Sequence, residues 1–158
     1  MIIEFGNYII DVDVEKTREF YRNAESVSEG CSCDGCLNYE KAVDVLPSAI
    51  KIFFDNLGID MKKVCECYVN TANKDGTLMY GGFYHICGNL ITGESGWHKV
   101  SESYAVWNNK VTFAITDFFH VSVQSDVALL EDGFPLPVIQ LEFLADIPWV
   151  LDKENPYV

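Results

Sequence analysis

The sequence predicts a single α+β domain, spanning residues 1–158, in which an N-terminal strand and three helices precede a mainly antiparallel sheet. A chain of 158 residues is long enough to bury a sizeable core as one domain. Apolar residues recur at helical spacing before about residue 60, whereas from Lys63 onward they alternate with a period of two. Helices followed by consecutive strands are typical of α+β proteins.

The N-terminal part should form one strand and three helices. Residues 2–10 are predicted as a strand, and Asp13 is the expected N-cap of a helix over residues 14–24. Two further helices are indicated by apolar residues at i, i+3, i+4 and i+7: Tyr39, Ala42, Val43 and Leu46 in one, and Ile50, Phe53, Phe54 and Leu57 in the other. Pro47 should begin the last helix, and Gly58 should end it.

The remaining elements should be strands, because the period changes to two and several segments alternate cleanly. The six predicted strands are 64–70, 78–90, 103–107, 111–116, 119–124 and 138–145. In the fifth segment, Phe119, Val121 and Val123 should share one face. Asn108-Asn109 is predicted to form a tight hairpin turn, and Asp75-Gly76 lies in the connection between the first two of these strands.

The N-terminus lacks the basic and apolar regions of a signal peptide, and no apolar run approaches the roughly 20 residues of a membrane span. These features predict a cytoplasmic protein with no membrane association. In a reducing compartment, clustered cysteines more often bind metal or react than form structural disulfides.

The net charge is −13, and the chain contains only two arginines, Arg18 and Arg22. Nucleic acid is therefore excluded as a partner, because binding to phosphates needs a basic face. The acidity is compatible with ordinary solubility. It also leaves open an interaction protein that binds a basic protein partner, as immunity proteins of nuclease toxins do, with an affinity that depends strongly on salt.

Three of the six cysteines, Cys31, Cys33 and Cys36, form a CxCxxC pattern, which we call the cysteine cluster. The cluster precedes a predicted helix, so its thiols should lie in a loop and at a helix N-terminus, with Gly30 and Gly35 allowing the backbone to bend. Sulfurs in a tetrahedral zinc site are about 4 Å apart, which a turn can supply and a regular strand generally cannot. Zinc is the cofactor expected from the ligand type, and an iron–sulfur cluster is disfavoured because the spacing matches neither common ferredoxin pattern.

A fourth ligand would have to come from elsewhere in the chain. His85 and Cys87 are the best candidates, with His85 preferred, because both lie on one face of a glycine-containing strand that another segment can approach closely. Cys65 and Cys67 are predicted to be core residues of a strand, where residues i and i+2 lie roughly 6.5 to 7 Å apart. The two other histidines are interpreted as structural or surface residues: His98 and His120.

A redox alternative treats Cys33 and Cys36 as an active dithiol at a helix N-terminus. Asp34 and Glu29 would raise the thiol pKa and so disfavour this chemistry, and no βαβ pattern surrounds the motif. The same carboxylates would favour a bound cation. Hydrolase and nucleotide-binding signatures such as GxSxG, HExxH, the P-loop and GxGxxG are absent from the sequence.

The cluster and the residues that follow it resemble a family of small uncharacterised bacterial proteins, a domain of unknown function with a GCxCxxCxN(Y/F) signature. The similar residues are GCSCDGCLNY at 30–39, Leu46-Pro47 and FFDNLGID at 53–60, with a weaker similarity at 80–85. The resemblance implies a bacterial, cytoplasmic protein. It also supports the interpretation that the three cysteines of the cluster act together. It transfers no catalytic residue.

The sequence thus favours a non-enzymatic domain in which Cys31, Cys33 and Cys36, together with His85, hold a structural zinc ion. A closed site with four ligands would leave no position for water. A site with three ligands and solvent would make the same cluster a candidate hydrolase.

Overall fold

The computed structural model describes residues 1–158 and confirms the α+β class, with helices packed on a mostly antiparallel sheet. The helices are α1 (Val14–Asn23), α2 (Val27–Gly30), α3 (Asp34–Ala42) and α4 (Ser48–Asn56). The strands are β1 (Ile2–Phe5), β2 (Tyr8–Val12), β3 (Glu66–Ala72), β4 (Leu78–Thr92), β5 (Trp97–Ser101), β6 (Tyr104–Trp107), β7 (Phe113–Thr116), β8 (Phe119–Gln124) and β9 (Val138–Ile147). None of the helices has the length and apolar character needed to cross a membrane.

Strand β4 organises the main sheet, whose order is β1-β2-β4-β9-β8-β7 with every pair antiparallel. One edge of β4 pairs with β9 along ten residues. Its other edge is shared, because β3 pairs with the first half of β4 and β2 pairs with the end. Strands β5 and β6 form a separate two-stranded sheet.

The core lies between the sheet and helices α3 and α4, and we call this side of the sheet the helical face. Tyr84 of β4 packs against Phe54 of α4 with ring centroids 5.1 Å apart, and Tyr39 of α3 stacks on Phe143 of β9 at 5.4 Å. Phe119, Val121 and Val123 are fully buried in this core, and their register pairs them with residues on the same face. The alternation predicted for β8 is therefore confirmed.

Helix α1 closes a gap along the edge of β4, between the residues paired with β3 and those paired with β2. The hydroxyl of Tyr21 donates to the carbonyl of His85 at 2.8 Å and accepts from its N–H at 3.0 Å. The hydroxyl of Thr17 accepts from the N–H of Cys87 at 3.1 Å. Side chains of α1 thus satisfy backbone groups of β4 that have no strand partner there.

Four details differ from the predicted elements. The predicted strand at residues 2–10 is a hairpin, because Gly6 adopts φ +55° and reverses the chain. Helix α3 begins at Asp34, so Cys36 lies within it. The short helix α2 and strand β5 were not predicted from periodicity.

The hairpin predicted at Asn108-Asn109 is wrong, because β6 pairs with β5 rather than with β7. The side chain of Asn108 accepts from the N–H of Lys110 at 3.0 Å and caps a 3₁₀ turn over Asn109–Val111. By contrast, the predicted turn at Asp75-Gly76 is present, with Gly76 at φ +90°.

Candidate metal centre

The cysteine cluster brings three thiols together where α2 ends and α3 begins. The sulfur atoms of Cys31, Cys33 and Cys36 all lie within 4.8 Å of one another. Cys31 directly follows α2, Cys33 is the N-cap of α3, and Cys36 lies in the first turn of α3. This is the loop and helix N-terminus that the sequence predicts for these residues.

Local hydrogen bonds hold the cluster together. The Cys36 N–H donates to the sulfur of Cys33 at 3.4 Å, so a thiol takes the N-cap role that Ser or Asp usually takes. The sulfurs of Cys31 and Cys33 are 3.2 Å apart. In a tetrahedral site with zinc–sulfur bonds of about 2.3 Å, neighbouring sulfurs are about 3.8 Å apart, and three thiols within 4.8 Å fit such a site after small side-chain adjustments.

A close approach of α3 to the sheet edge fixes the start of the helix. The Tyr80 hydroxyl donates to the carbonyl of Gly35 at 2.7 Å. A Cβ atom on Gly35 would lie only 2.9 Å from the hydroxyl of Tyr157 and 3.4 Å from a methyl group of Val69 on β3. Gly35 therefore permits close packing, whereas Gly30 has nothing within 4 Å of its Cβ position and no positive φ.

The C-terminal segment packs over the same turn of α3. The buried amide of Asn38 donates to the carbonyl of Pro148 at 3.1 Å, and its oxygen accepts from the N–H of Val150 at 2.7 Å. The Lys153 ammonium forms an ion pair with Asp34 at 2.9 Å. Asp34, expected to favour a cation in the cluster, is therefore already paired.

Strand β3 supplies a fourth thiol next to the cluster. The sulfur of Cys67 lies 3.9 Å from that of Cys36. Cys67 is opposite Gly82 in the register of β3 and β4, which places it on the helical face beneath α3. Its half-buried side chain packs against the core, as predicted, but it also contacts the cluster.

Cys65 is not the core residue that the sequence predicts, because its side chain is exposed. Strand β3 begins one residue later, at Glu66, so the strand alternation does not hold Cys65 in the core. Its backbone N–H donates to the carbonyl of Phe83, and its sulfur lies 3.5 Å from the carbonyl oxygen of Leu129.

The structure does not bring His85 into the group of three thiols. His85 follows Tyr84 on β4, so the alternation of side chains directs it to the face opposite the helices. There its Nε2 lies 3.0 Å from Oε1 of Gln140, and burial lowers the pKa of the imidazole. Cys87 is buried and, two residues further along β4, shares that side of the strand.

The two remaining histidines are also outside the group. His98 lies on β5 and His120 on β8, where its Nδ1 is 3.3 Å from the Thr112 hydroxyl.

The thiols of the site differ in acidity. Hydrogen bonding to the backbone and side chain of Cys33 lowers the pKa of the half-buried Cys31 thiol. Burial raises the pKa of Cys36 far above its ordinary value and raises that of Cys67 to about 12. Cys31 therefore ionises more readily than Cys36, and a metal ion bound by Cys36 and Cys67 would have to displace the protons of both thiols.

Solvent reaches the site through a cleft of about 510 Å³ between α1, α2 and the edge of the sheet. Its lining includes Cys31, Cys36, Cys67 and His85. The cleft gives a metal ion or a small reagent a route to the thiols.

The sequence offered one weak signal for Cys67, since Cys67 and Val69 alternate with polar residues and so share a face. Periodicity cannot tell which helix covers that face.

The arrangement of the four thiols as a whole provides soft thiolate donors at a helix N-terminus, which suits binding of zinc and also thiol–disulfide exchange. Searches of family models, curated proteins and solved structures found no match to this chain.

Proposed function

We propose that this protein is a non-enzymatic domain in which the cysteine cluster holds one structural zinc ion. The observation that supports this most strongly is the convergence of three thiols within 4.8 Å at the start of α3. In that position, the ion would fix the segment between α2 and α3 relative to the sheet. Its binding energy would add directly to the stability of the fold.

Zinc is the ion that the donor set favours. Thiolates select soft or borderline metals, and zinc accepts the tetrahedral arrangement that closely spaced sulfurs supply. Magnesium and calcium prefer oxygen ligands, and the carboxylates closest to the cluster in the sequence have other partners. Asp34 pairs with Lys153, and Glu29 forms a capping box with Ser26 at the start of α2.

A structural role is favoured over hydrolysis because the neighbouring groups serve packing. Asn38 and Tyr80 use their polar atoms to fix α3 and the C-terminal segment. A catalytic zinc site would instead keep an open position for water and would place a general base beside it. The number of protein ligands therefore separates the two roles.

The test is the metal content of protein purified without added metal or chelator, measured by elemental mass spectrometry. We expect one equivalent of zinc in the unmodified protein and in Cys65→Ser, and loss of zinc in Cys33→Ser. Cys33 and Cys65 are both exposed, so both serine variants leave the core intact. Unmodified protein with no metal and six free thiols would contradict the proposal, as would zinc retained by Cys33→Ser.

A dithiol function is the second candidate, with Cys31 and Cys33 as the reactive pair in place of the Cys33 and Cys36 expected from the sequence. These two sulfurs are 3.2 Å apart, and the pKa of Cys31 is lowered. The Cys31 thiolate would attack a disulfide substrate and release one of its thiols, and Cys33 would then displace the second to leave a Cys31–Cys33 disulfide. If Cys31 and Cys33 are a functional dithiol, treatment with oxidised glutathione should form the Cys31–Cys33 disulfide, which peptide mass mapping would detect. Absence of that disulfide would contradict the dithiol hypothesis.

A further inference from the structure

We infer that Cys67 is the fourth ligand, which closes the metal centre into a four-thiolate site joining α3 to the edge strand β3. This inference rests on the proposed zinc site and adds a ligand, a coordination number and a structural consequence. It replaces the histidine expected from the sequence with a thiol 31 residues beyond Cys36.

The distance between the thiols of Cys36 and Cys67 supports the assignment. The sulfurs of Cys36 and Cys67 are 3.9 Å apart, close to the edge of about 3.8 Å in a tetrahedral zinc–thiolate site. The sulfurs of Cys36 and Cys67 are therefore already at the distance that two ligands of one zinc ion would have. Cys33 is exposed and Cys31 is half-buried, so both have room to rotate toward an ion beside the first two.

The pairing of β3 with β4 fixes the position of Cys67 beneath α3. Cys67 and Val69 both point to the helical face, and a methyl group of Val69 would lie 3.4 Å from a Cβ atom built on Gly35 at the start of α3. Strand β3 cannot easily move away from or along β4, because backbone pairing continues on both sides of Cys67. Cys67 thus lies in the regularly paired part of β3, before the register shift between Val69 and Thr71, and beneath the helix that carries Cys36.

The closed site would have a mechanical effect. Strand β3 pairs only with β4, so its outer edge has no strand neighbour. A metal ion bound by both Cys67 and Cys36 would link this edge strand to helix α3, which covers its helical face. With four protein ligands, the ion would have no open position for water, which identifies the site as structural.

Titration of the reduced, metal-free protein with Co²⁺ tests the assignment, because cobalt replaces zinc and its absorption reports both tetrahedral geometry and bound thiolates. The matched variants are Cys67→Ser and Cys65→Ser, two residues apart. We expect the unmodified protein and Cys65→Ser to give the same tetrahedral spectrum with four thiolates. Cys67→Ser should lose about a quarter of the sulfur-to-cobalt charge-transfer intensity and bind at least about tenfold more weakly.

The outcomes separate the inference from the proposed function. A spectrum and affinity of Cys67→Ser equal to those of the unmodified protein would overturn the inference but leave a metal site at the cluster. No saturable binding by the unmodified protein would overturn both.

Differential alkylation of the unmodified protein, read by mass spectrometry, gives an answer even if Cys67→Ser fails to fold. Bound zinc should slow alkylation of Cys67 at least tenfold and leave the rate at Cys65 unchanged. Equal alkylation rates of Cys67 with and without zinc would contradict its role as a ligand.

Discussion

At the scale of single residues, the face of the sheet opposite the helices contains a buried carboxyl group. Glu142 accepts a hydrogen bond of 2.7 Å from the amide of Gln140, whose oxygen accepts from the Ala128 N–H at 2.8 Å and lies 3.0 Å from His85 Nε2. Burial, reinforced by the negative charge of Glu66, raises the pKa of Glu142 above its ordinary value of 4.5. The ionised form therefore destabilises the folded state relative to the protonated form.

We expect Glu142→Gln to raise the free energy of unfolding at pH 7.5, because it removes a buried charge and keeps the oxygen that accepts from Gln140. A group whose folded pKa is raised contributes stability below its unfolded pKa near 4.5, and this contribution is lost as pH rises through the folded pKa. The free energy of unfolding of Glu142→Gln should therefore exceed that of the unmodified protein at pH 7.5 but not below pH 4.5. Urea unfolding at both pH values measures this difference, with the exposed Glu19→Gln as a control for loss of one negative charge.

At the scale of elements, the contact between α1 and β4 can be tested with a single substitution. Tyr21→Phe removes the only side-chain partner that pairs with both backbone groups of His85. Leaving buried backbone groups unpaired costs about 1 to 3 kcal/mol, so the midpoint of thermal unfolding should fall by several degrees. Hydrogen exchange at the His85 amide should also become faster. Tyr104→Phe, at an exposed hydroxyl, should change neither, and an equal effect of both variants would refute this role of α1.

Gly82 controls the spacing between β3 and β4 opposite Cys67. A Cβ atom there would lie 2.2 Å from the carbonyl oxygen of Glu66 and 2.8 Å from the ring of Phe143. We expect Gly82→Ala to cost about 1 to 3 kcal/mol and to weaken metal binding, because it displaces the strand that carries Cys67. Gly30→Ala meets no atom and should stay within about 0.5 kcal/mol of the unmodified protein. Calorimetry and a metal titration on both variants test this.

The fold class and most element positions follow from local patterns, because period and turn chemistry are encoded within a few residues. The alternation in 119–124 and the cap at Asp13 are of this kind, and the structure has both. Where two local rules compete, prediction fails. Asn108 favours a hairpin by composition, but its side chain caps a 3₁₀ turn instead.

The site was predictable only in part, for a related reason. Cys31, Cys33 and Cys36 are neighbours in sequence, so their proximity follows from a turn. The contact of Cys67 with Cys36 depends on α3 packing over β3, which is a long-range property. For His85, the alternation of β4 is a local pattern, whereas the face of β4 that the helices cover depends on long-range packing.

At the scale of the whole molecule, zinc binding should be linked to global stability. A ligand at 100 times its dissociation constant stabilises the folded state by about 2.7 kcal/mol if it binds only that state. For a chain of this length, the midpoint of thermal unfolding should rise by about 5 to 11 °C when zinc is added to metal-free protein. Cys33→Ser should not respond. A rise of the same size in that variant would show that zinc acts somewhere other than the cluster.

The central claim is a zinc ion bound by four thiolates, and X-ray absorption at the zinc edge of the purified protein tests it most directly. Cys31, Cys33, Cys36 and Cys67 predict four sulfur scatterers at about 2.3 Å and no lighter atom in the first shell. A first shell with nitrogen or oxygen at about 2.0 to 2.2 Å would contradict the claim. It would show a histidine, carboxylate or water in the place that the structure assigns to Cys67.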